Sequence, residues 1–156
     1  MKRNAFLLVA GAIAFGLIAV GCGGNDDSSS STGTESSTTA LTKAEFLQKG
    51  NAICQAGNQE INQAFSQIQG KPTQEQANQV VTDTLVPSVQ GQIDDIRALG
   101  APAGDEDQVN QILDDAQTAL DKVKADPTVA TQNGSDPFAQ ANQEAKAYGL
   151  TVCGSG

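Results

Sequence analysis

Apolar residues recur every three or four positions in four stretches of the chain, a spacing that places them on one face of an α-helix. The first stretch predicts a helix over residues 43–69, because Thr42 and Glu45 form a capping box at its start and Gly70 and Pro72 end it. Its apolar stripe consists of Phe46, Ile53, Ile61, Phe65 and Ile68, with Gly50 and Gly57 on the same face.

A second stretch begins at another capping box, formed by Thr73 and Gln76. Its apolar positions continue to about residue 99, where Gly100 ends the predicted helix. Pro87 lies in its interior, and a proline there removes one hydrogen bond and predicts a kink.

The third helix is predicted from an N-cap at Asp105 to the Asp-Pro pair 126–127, and the fourth over residues 137–148 with Gly149 as C-cap. No stretch of useful length alternates between apolar and polar residues as a strand does. Four amphipathic helices with short connections predict an all-α fold, a four-helix up-down antiparallel bundle.

Residues before this domain have a different pattern. Lys2 and Arg3 precede an apolar run of about 16 residues that ends in small residues, which is the form of a secretory signal. Cys22 follows at once, and Ala19-Val20-Gly21-Cys22 resembles a bacterial lipobox. The resemblance implies cleavage between Gly21 and Cys22 and attachment of diacylglycerol to the Cys22 thiol. The alternatives are a plain transmembrane helix, for which the run is shorter than the roughly 20 residues required, and a soluble secreted protein with an incidental cysteine.

This assignment divides the chain into a signal peptide at 1–21, a lipidated cysteine with a linker at 22–40, and a helical domain at 41–156. The linker is rich in Ser, Thr and Gly and has no apolar periodicity, so it predicts a flexible tether. About 18 such residues span roughly 23 Å. We therefore expect a domain held at the extracytoplasmic face of the cell membrane through the lipid on Cys22.

Charge narrows the choice of partners. The chain has 9 basic and 18 acidic residues, and removing Lys2 and Arg3 with the signal leaves a net charge of −11. Nucleic-acid binding requires clustered Lys and Arg, so we expect no nucleic-acid partner. The same charge opposes adhesion to anionic lipids, which leaves membrane attachment to the anchor.

The residue types offer little for catalysis. The chain has no His and no Trp, and Met1 is its only Met. Acid–base, di-iron, haem, copper and zinc sites commonly use His, Met or several Cys, so we expect no enzyme activity, metal or cofactor. Acidic runs at 94–95, 105–107 and 114–115 suit a solvated surface and helix N-termini better than a cation site, because neighbouring helical acids point roughly 100° apart.

Cys54 and Cys153 remain after Cys22 is assigned to the anchor. If helix 4 runs antiparallel to helix 1 and starts level with residue 69, Cys54 lies about 22 Å back along helix 1. The end of helix 4, near Leu150, lies about 21 Å from the start of helix 4 at Asp136 by the same rise. Because these two distances agree, Cys54 and the end of helix 4 should lie side by side, with Cys153 a short turn away. The sequence therefore predicts a disulfide between Cys54 and Cys153 in an exported domain, the alternative being two free thiols.

Both ends of the mature domain also resemble known sequences. Phe46…Ile53-Cys54 and the segment 145–150 followed by Cys153-Gly154 resemble small actinobacterial lipoproteins of uncharacterised function. The resemblance implies the same cysteine pair and no particular activity.

The function predicted from the sequence is a non-catalytic binding or interaction module. Its partner is a protein, a glycan or a small molecule. The Gln and Asn side chains of helix 1 would offer hydrogen bonds to a glycan, or serve only as solubilising surface. The alternative is a small-molecule carrier, in which Gly50, Gly57 and the Pro87 kink open a cavity between the helices.

Overall fold

The computed structural model describes residues 40–132, 134 and 136–155. Every long regular element in this part of the chain is helical: α1 (Lys43–Ser66), α2 (Gln74–Val80), α3 (Val86–Ala98), α4 (Glu106–Ala125) and α5 (Ala139–Tyr148). A π-helical segment, Val81–Leu85, joins α2 to α3. The α2 helix, this segment and α3 together correspond to the second predicted helix, so the described residues contain the four predicted helices. The all-α prediction is confirmed. The predicted signal peptide, Gly21, Cys22 and the linker up to residue 39 lie outside the described residues.

Local sequence sets the starts of the first two helices. Thr42 Oγ1 accepts a hydrogen bond from the Glu45 backbone N–H (3.3 Å), and Glu45 Oε2 accepts one from the Thr42 N–H (2.9 Å). Thr73 and Gln76 form the same reciprocal pair at 3.2 and 3.0 Å. Both predicted capping boxes are therefore present. The α1 helix ends at Ser66, three residues earlier than predicted, because the following N–H groups bond to carbonyls three residues back.

Two other predicted caps differ in detail. Asp105 precedes α4, but its carboxylate does not cap that helix and instead accepts a hydrogen bond from the Tyr148 hydroxyl. The α5 helix begins at Ala139, two residues later than predicted. The cause is a separate turn, in which Asp136 Oδ1 accepts a hydrogen bond from the Phe138 N–H at 3.0 Å.

The helix continues through Pro87 by changing its bonding pattern. Proline lacks the N–H that would bond the carbonyl of Asp83 four residues earlier. The chain before it adopts wider i→i+5 bonding, in which the Val86 N–H donates to the Val81 carbonyl. The interruption predicted at Pro87 is thus a π-helical turn within a continuous helix.

The core lies where α1, α3, α4 and α5 meet. The α1 helix packs on α3, α3 on α4, and α4 on α5. The largest fully buried side chains include Phe46, Leu120 and Leu150. Phe46 meets Tyr148 edge to face, with ring centroids 6.2 Å apart. These contacts tie the start of α1 to the end of α5.

The chain after α5, residues 149–155, forms a C-terminal tail that packs against both α1 and α5. Gly149 reverses the chain direction with a φ of +116°, a conformation that glycine adopts readily. The Val152 N–H then donates to Asn51 Oδ1 of α1 at 2.8 Å. On the other side, Gly154 lies so close to α5 that an added Cβ would be 2.8 Å from Cβ of Lys146. The tail therefore contacts α1 where the sequence predicts contact by the fourth helix.

The tail also delivers the second cysteine. Cys54 and Cys153 form a disulfide, with sulfur atoms 2.10 Å apart. Leu150, the predicted end of helix 4, packs against Gly50, four residues before Cys54 on α1, where an added Cβ would lie 2.6 Å from Leu150 Cδ2. The disulfide predicted from the sequence is thus found, and the end of the fourth helix lies about one helical turn from its predicted position beside Cys54.

Candidate functional site

Unequal helix lengths leave space between the helices. The α1 and α4 helices have 24 and 20 residues and extend about 36 and 30 Å, whereas the 10 residues of α5 extend about 15 Å. The second half of α1 still carries apolar residues, and Ile61 and Phe65 are only half-buried there. A short fourth helix therefore leaves part of the apolar interior without a covering helix.

A cavity of about 540 Å³ occupies this space. Its walls are mainly apolar and come from all four helices, the segment before α5 and the C-terminal tail. Representative lining residues are Ile61, Val89, Ile93, Ile112, Phe138 and Leu150. Small-molecule sites typically occupy about 300–1,000 Å³ and combine apolar walls with a few polar groups. The cavity has the size and composition of such a site.

The polar groups of the cavity are mostly amides. Asn58, Asn62 and Asn142 line it together with the hydroxyl-bearing Ser155. Asp136 is the one charged residue among the lining residues, and no Lys or Arg belongs to the set. The site therefore offers neutral hydrogen-bonding groups and a single negative charge.

Gln92 also lines the cavity, and its amide is incompletely paired. Its Nε2 is buried, and the described residues provide it with no hydrogen-bond partner. Leaving such a donor unpaired costs about 1–3 kcal/mol. A ligand with an acceptor oxygen within reach of this amide would recover part of that cost.

The two glycines of α1 have a different role from the predicted one. A Cβ at Gly50 would lie 2.6 Å from Cδ2 of the buried Leu150, and a Cβ at Gly57 would overlap the side chain of Gln92. Both positions therefore let other groups approach α1 closely. The expectation that these glycines open the cavity is wrong, because the space comes from the shortness of α5.

The disulfide belongs to the cavity wall. Cys54 and Cys153 both line the space, and the Asn58 Nδ2 donates to the Val152 carbonyl at 3.3 Å beside them. The tail is thus fixed to α1 by one covalent bond and by amide hydrogen bonds. Its attachment determines where this wall of the cavity lies.

A second cluster joins three chain segments without lining the cavity. The Tyr148 hydroxyl donates to Asp105 Oδ2 at 2.8 Å, and Lys43 Nζ lies 3.1 Å from the same oxygen. The hydrogen bond from Tyr148, followed by that from Lys43, lowers the pKa of Asp105. Burial, followed by the bond to Asp105, raises the pKa of Tyr148, so its hydroxyl remains a donor at neutral pH. This arrangement connects the ends of three helices.

Several of the other acidic residues form pairs at the surface. Arg97 lies 3.9 Å from Asp94 and 3.3 Å from Asp114, and Asp115 accepts a hydrogen bond from Gln140. Among the residues with described positions, no group of three or more His, Cys, Asp or Glu is arranged to hold a metal ion. Most Gln side chains of helix 1 are exposed and lie outside the cavity, whereas the half-buried Asn58 and the exposed Asn62 line it.

Part of the cavity was not evident from the sequence. Ala130 and Pro137 come from the connector before α5, and Gln92 was not singled out on its helix. The available signal was the difference between predicted helices of 43–69 and 137–148, since a 12-residue helix cannot cover the stripe of a 27-residue one.

Within the described ranges, no helix is both long enough and apolar enough to cross a membrane. Comparisons with protein-family models, with curated proteins and with solved structures give no match to the chain. The proposed function is therefore based on the residues that line the cavity.

Proposed function

We propose that the protein is a membrane-anchored, extracytoplasmic binding module that holds a small apolar ligand in the cavity between its helices. The observation that carries this proposal is the apolar space of about 540 Å³ with a single charged lining residue, Asp136. The proposal selects the small-molecule carrier over a protein or glycan partner, because an interaction surface alone does not require an apolar space of this size between the helices. Binding is its whole activity, and no lining residue is assigned a catalytic role.

We further propose that the helices form an up-down antiparallel bundle. Contacts between consecutive helices support this arrangement. Ser88 donates to the Gly57 carbonyl between α1 and α3. Gln90 and Gln117 exchange amide hydrogen bonds between α3 and α4, at 3.0 and 3.1 Å.

The proposed anchor is the lipid on Cys22, on the basis of the lipobox resemblance. The linker predicted from the sequence would span roughly 23 Å and keep the cavity near the membrane surface, so the ligand would be taken from, or delivered to, that surface. We expect Cys22→Ala to release the protein from the membrane fraction or to leave uncleaved precursor. A variant of mature size that still partitions into detergent would contradict the anchor.

Cavity occupancy is tested by photolabelling. The full chain, in phosphatidylcholine vesicles, is irradiated with an uncharged alkyl diazirine, and labelled peptides are mapped by mass spectrometry. Ala116 lines the cavity, whereas Ala52 is exposed on α1 and does not. We expect saturable labelling of cavity-lining peptides, decreased about ten-fold by Ala116→Phe, a loss of about 1.4 kcal/mol in binding.

The matched control is Ala52→Phe, which adds the same side chain on the surface and leaves the cavity free to take up the probe. Its labelling should equal that of the unmodified chain. Labelling that is insensitive to Ala116→Phe, or that is confined to peptides outside the cavity, would refute the proposed function.

A further inference from the structure

The cavity changes from apolar to polar between its interior and its opening. Ile93, Ile112 and Leu150 are buried lining residues, whereas Asn62, Asp136 and Ser155 are exposed lining residues. A ligand that satisfies both regions needs an apolar body inside and a polar group outside. This polarity is that of an amphiphile.

Charge restricts the polar group. No lining residue is basic, Asp136 is acidic, and the chain as a whole has a net charge of −9. An anionic head group would lose hydration at the opening without gaining a cationic partner, which is unfavourable. The cavity therefore disfavours carboxylate, sulfate and phosphate head groups.

The N-terminal end of α5 does not compensate for the missing cation. Backbone N–H groups at a helix start commonly bind anions. In the turn before α5, however, Asp136 Oδ1 already accepts the hydrogen bond of the Phe138 N–H. The Asp136 carboxylate thus already pairs with one N–H group near this helix start and places a negative charge beside it.

The remaining polar lining groups suit hydroxyl and amide partners. Asn62, Asn142 and Gln92 each carry an amide, which has both donors and acceptors, and Ser155 carries a hydroxyl. We infer that the cavity binds an amphiphile with an uncharged, hydroxyl-bearing head group and discriminates against anionic amphiphiles. This inference rests on the proposed function and specifies its ligand class.

The test compares two photoreactive probes with the same alkyl chain, a monoacylglycerol and an alkyl sulfate. Each is added to the full chain in phosphatidylcholine vesicles, and labelling of cavity-lining peptides is quantified. We expect the monoacylglycerol to label these peptides about ten-fold more efficiently, since an unpaired anion is costly to desolvate.

Two charge variants show whether the preference for the uncharged probe depends on charge at the cavity opening. Asn62→Lys places a cation at the cavity opening, whereas Gln63→Lys adds the same charge at an exposed neighbouring position outside the lining. We expect Asn62→Lys to reduce the preference for monoacylglycerol about five-fold, by supplying a partner for the sulfate. Gln63→Lys should leave the preference unchanged, because it alters only the net charge.

The outcomes separate the two proposals. Equal labelling by both probes, or equal effects of the two lysine variants, would overturn the inferred head-group preference and leave the cavity as a ligand site. Failure of both probes to label any cavity-lining peptide would refute the proposed function itself.

Discussion

Tyr148 shows how a single side chain connects distant segments. Its ring packs against Phe46, while its hydroxyl donates to Asp105, 43 positions earlier in the chain. The side chain is buried. The partner was not predictable, because Asp105 has the sequence position of a helix cap and only the packing of α4 against α5 redirects its carboxylate.

Replacing Tyr148 with Phe removes the hydroxyl and retains the ring. We expect a lower midpoint of thermal unfolding at neutral pH, because the hydrogen bond to an ionised carboxylate is lost. The pKa of Asp105 is lowered in the folded protein, so its contribution is present above the unfolded value of about 3.9 and is lost as pH falls further.

The difference in unfolding midpoint between the unmodified chain and Tyr148→Phe should therefore decrease below about pH 4. Thermal unfolding followed by circular dichroism over this range provides the measurement. A difference that persists undiminished in acid would show that the hydroxyl does not act through ionised Asp105.

At the scale of elements, two glycines within helices differ in how closely other groups pack against them. Gly50 is buried, and an added Cβ would be 2.6 Å from Leu150 Cδ2. Gly91 is exposed in α3, and an added Cβ would meet nothing within 4 Å. The same substitution thus tests close packing at one site and helix propensity at the other.

We expect Gly91→Ala to raise the free energy of unfolding by about 0.5–1 kcal/mol through helix propensity. Gly50→Ala gains the same propensity but forces the buried Leu150 to move, at a cost of about 1–3 kcal/mol. Its net effect should be destabilising. Denaturant unfolding of both variants measures these changes, and a stabilised Gly50→Ala chain would show that the tail does not pack closely on α1.

The sequence predicted the elements better than their arrangement. Capping boxes at Thr42 and Thr73 act within a few residues, so they could be read directly from the chain. The packing of the C-terminal tail on α1 rests on contacts such as the hydrogen bond from Val152 to Asn51, 101 positions apart, so local sequence could not predict it. The sequence suggests a cavity opened by Gly50, Gly57 and the Pro87 kink, whereas the structure places other groups against both glycines and leaves the space beside the short α5.

At the scale of the whole molecule, the disulfide fixes the tail that forms one wall of the cavity. Cys54 and Cys153 are 99 positions apart. A cross-link closing a loop of that length stabilises the folded state by up to about 4–5 kcal/mol in the chain-entropy treatment. We expect the double variant Cys54→Ser/Cys153→Ser to unfold at a markedly lower temperature, and to show reduced photolabelling of cavity-lining peptides before it unfolds.

The double replacement avoids leaving a reactive thiol, so the comparison isolates the cross-link. Differential scanning calorimetry measures the unfolding temperature, and the photolabelling assay reports the cavity. An unchanged unfolding temperature together with unchanged labelling would mean that the bond neither stabilises the domain nor holds the wall in place.

The central claim is that a ligand occupies the space left by the short α5 helix. Amide hydrogen exchange of the full chain in vesicles, with and without monoacylglycerol, tests it most directly, because it locates the protected segments. The predicted result is slower exchange in residues 58–62, 85–96 and 136–145, with little change in residues 99–105. Unchanged exchange throughout, or protection confined to segments that do not line the cavity, would contradict the claim.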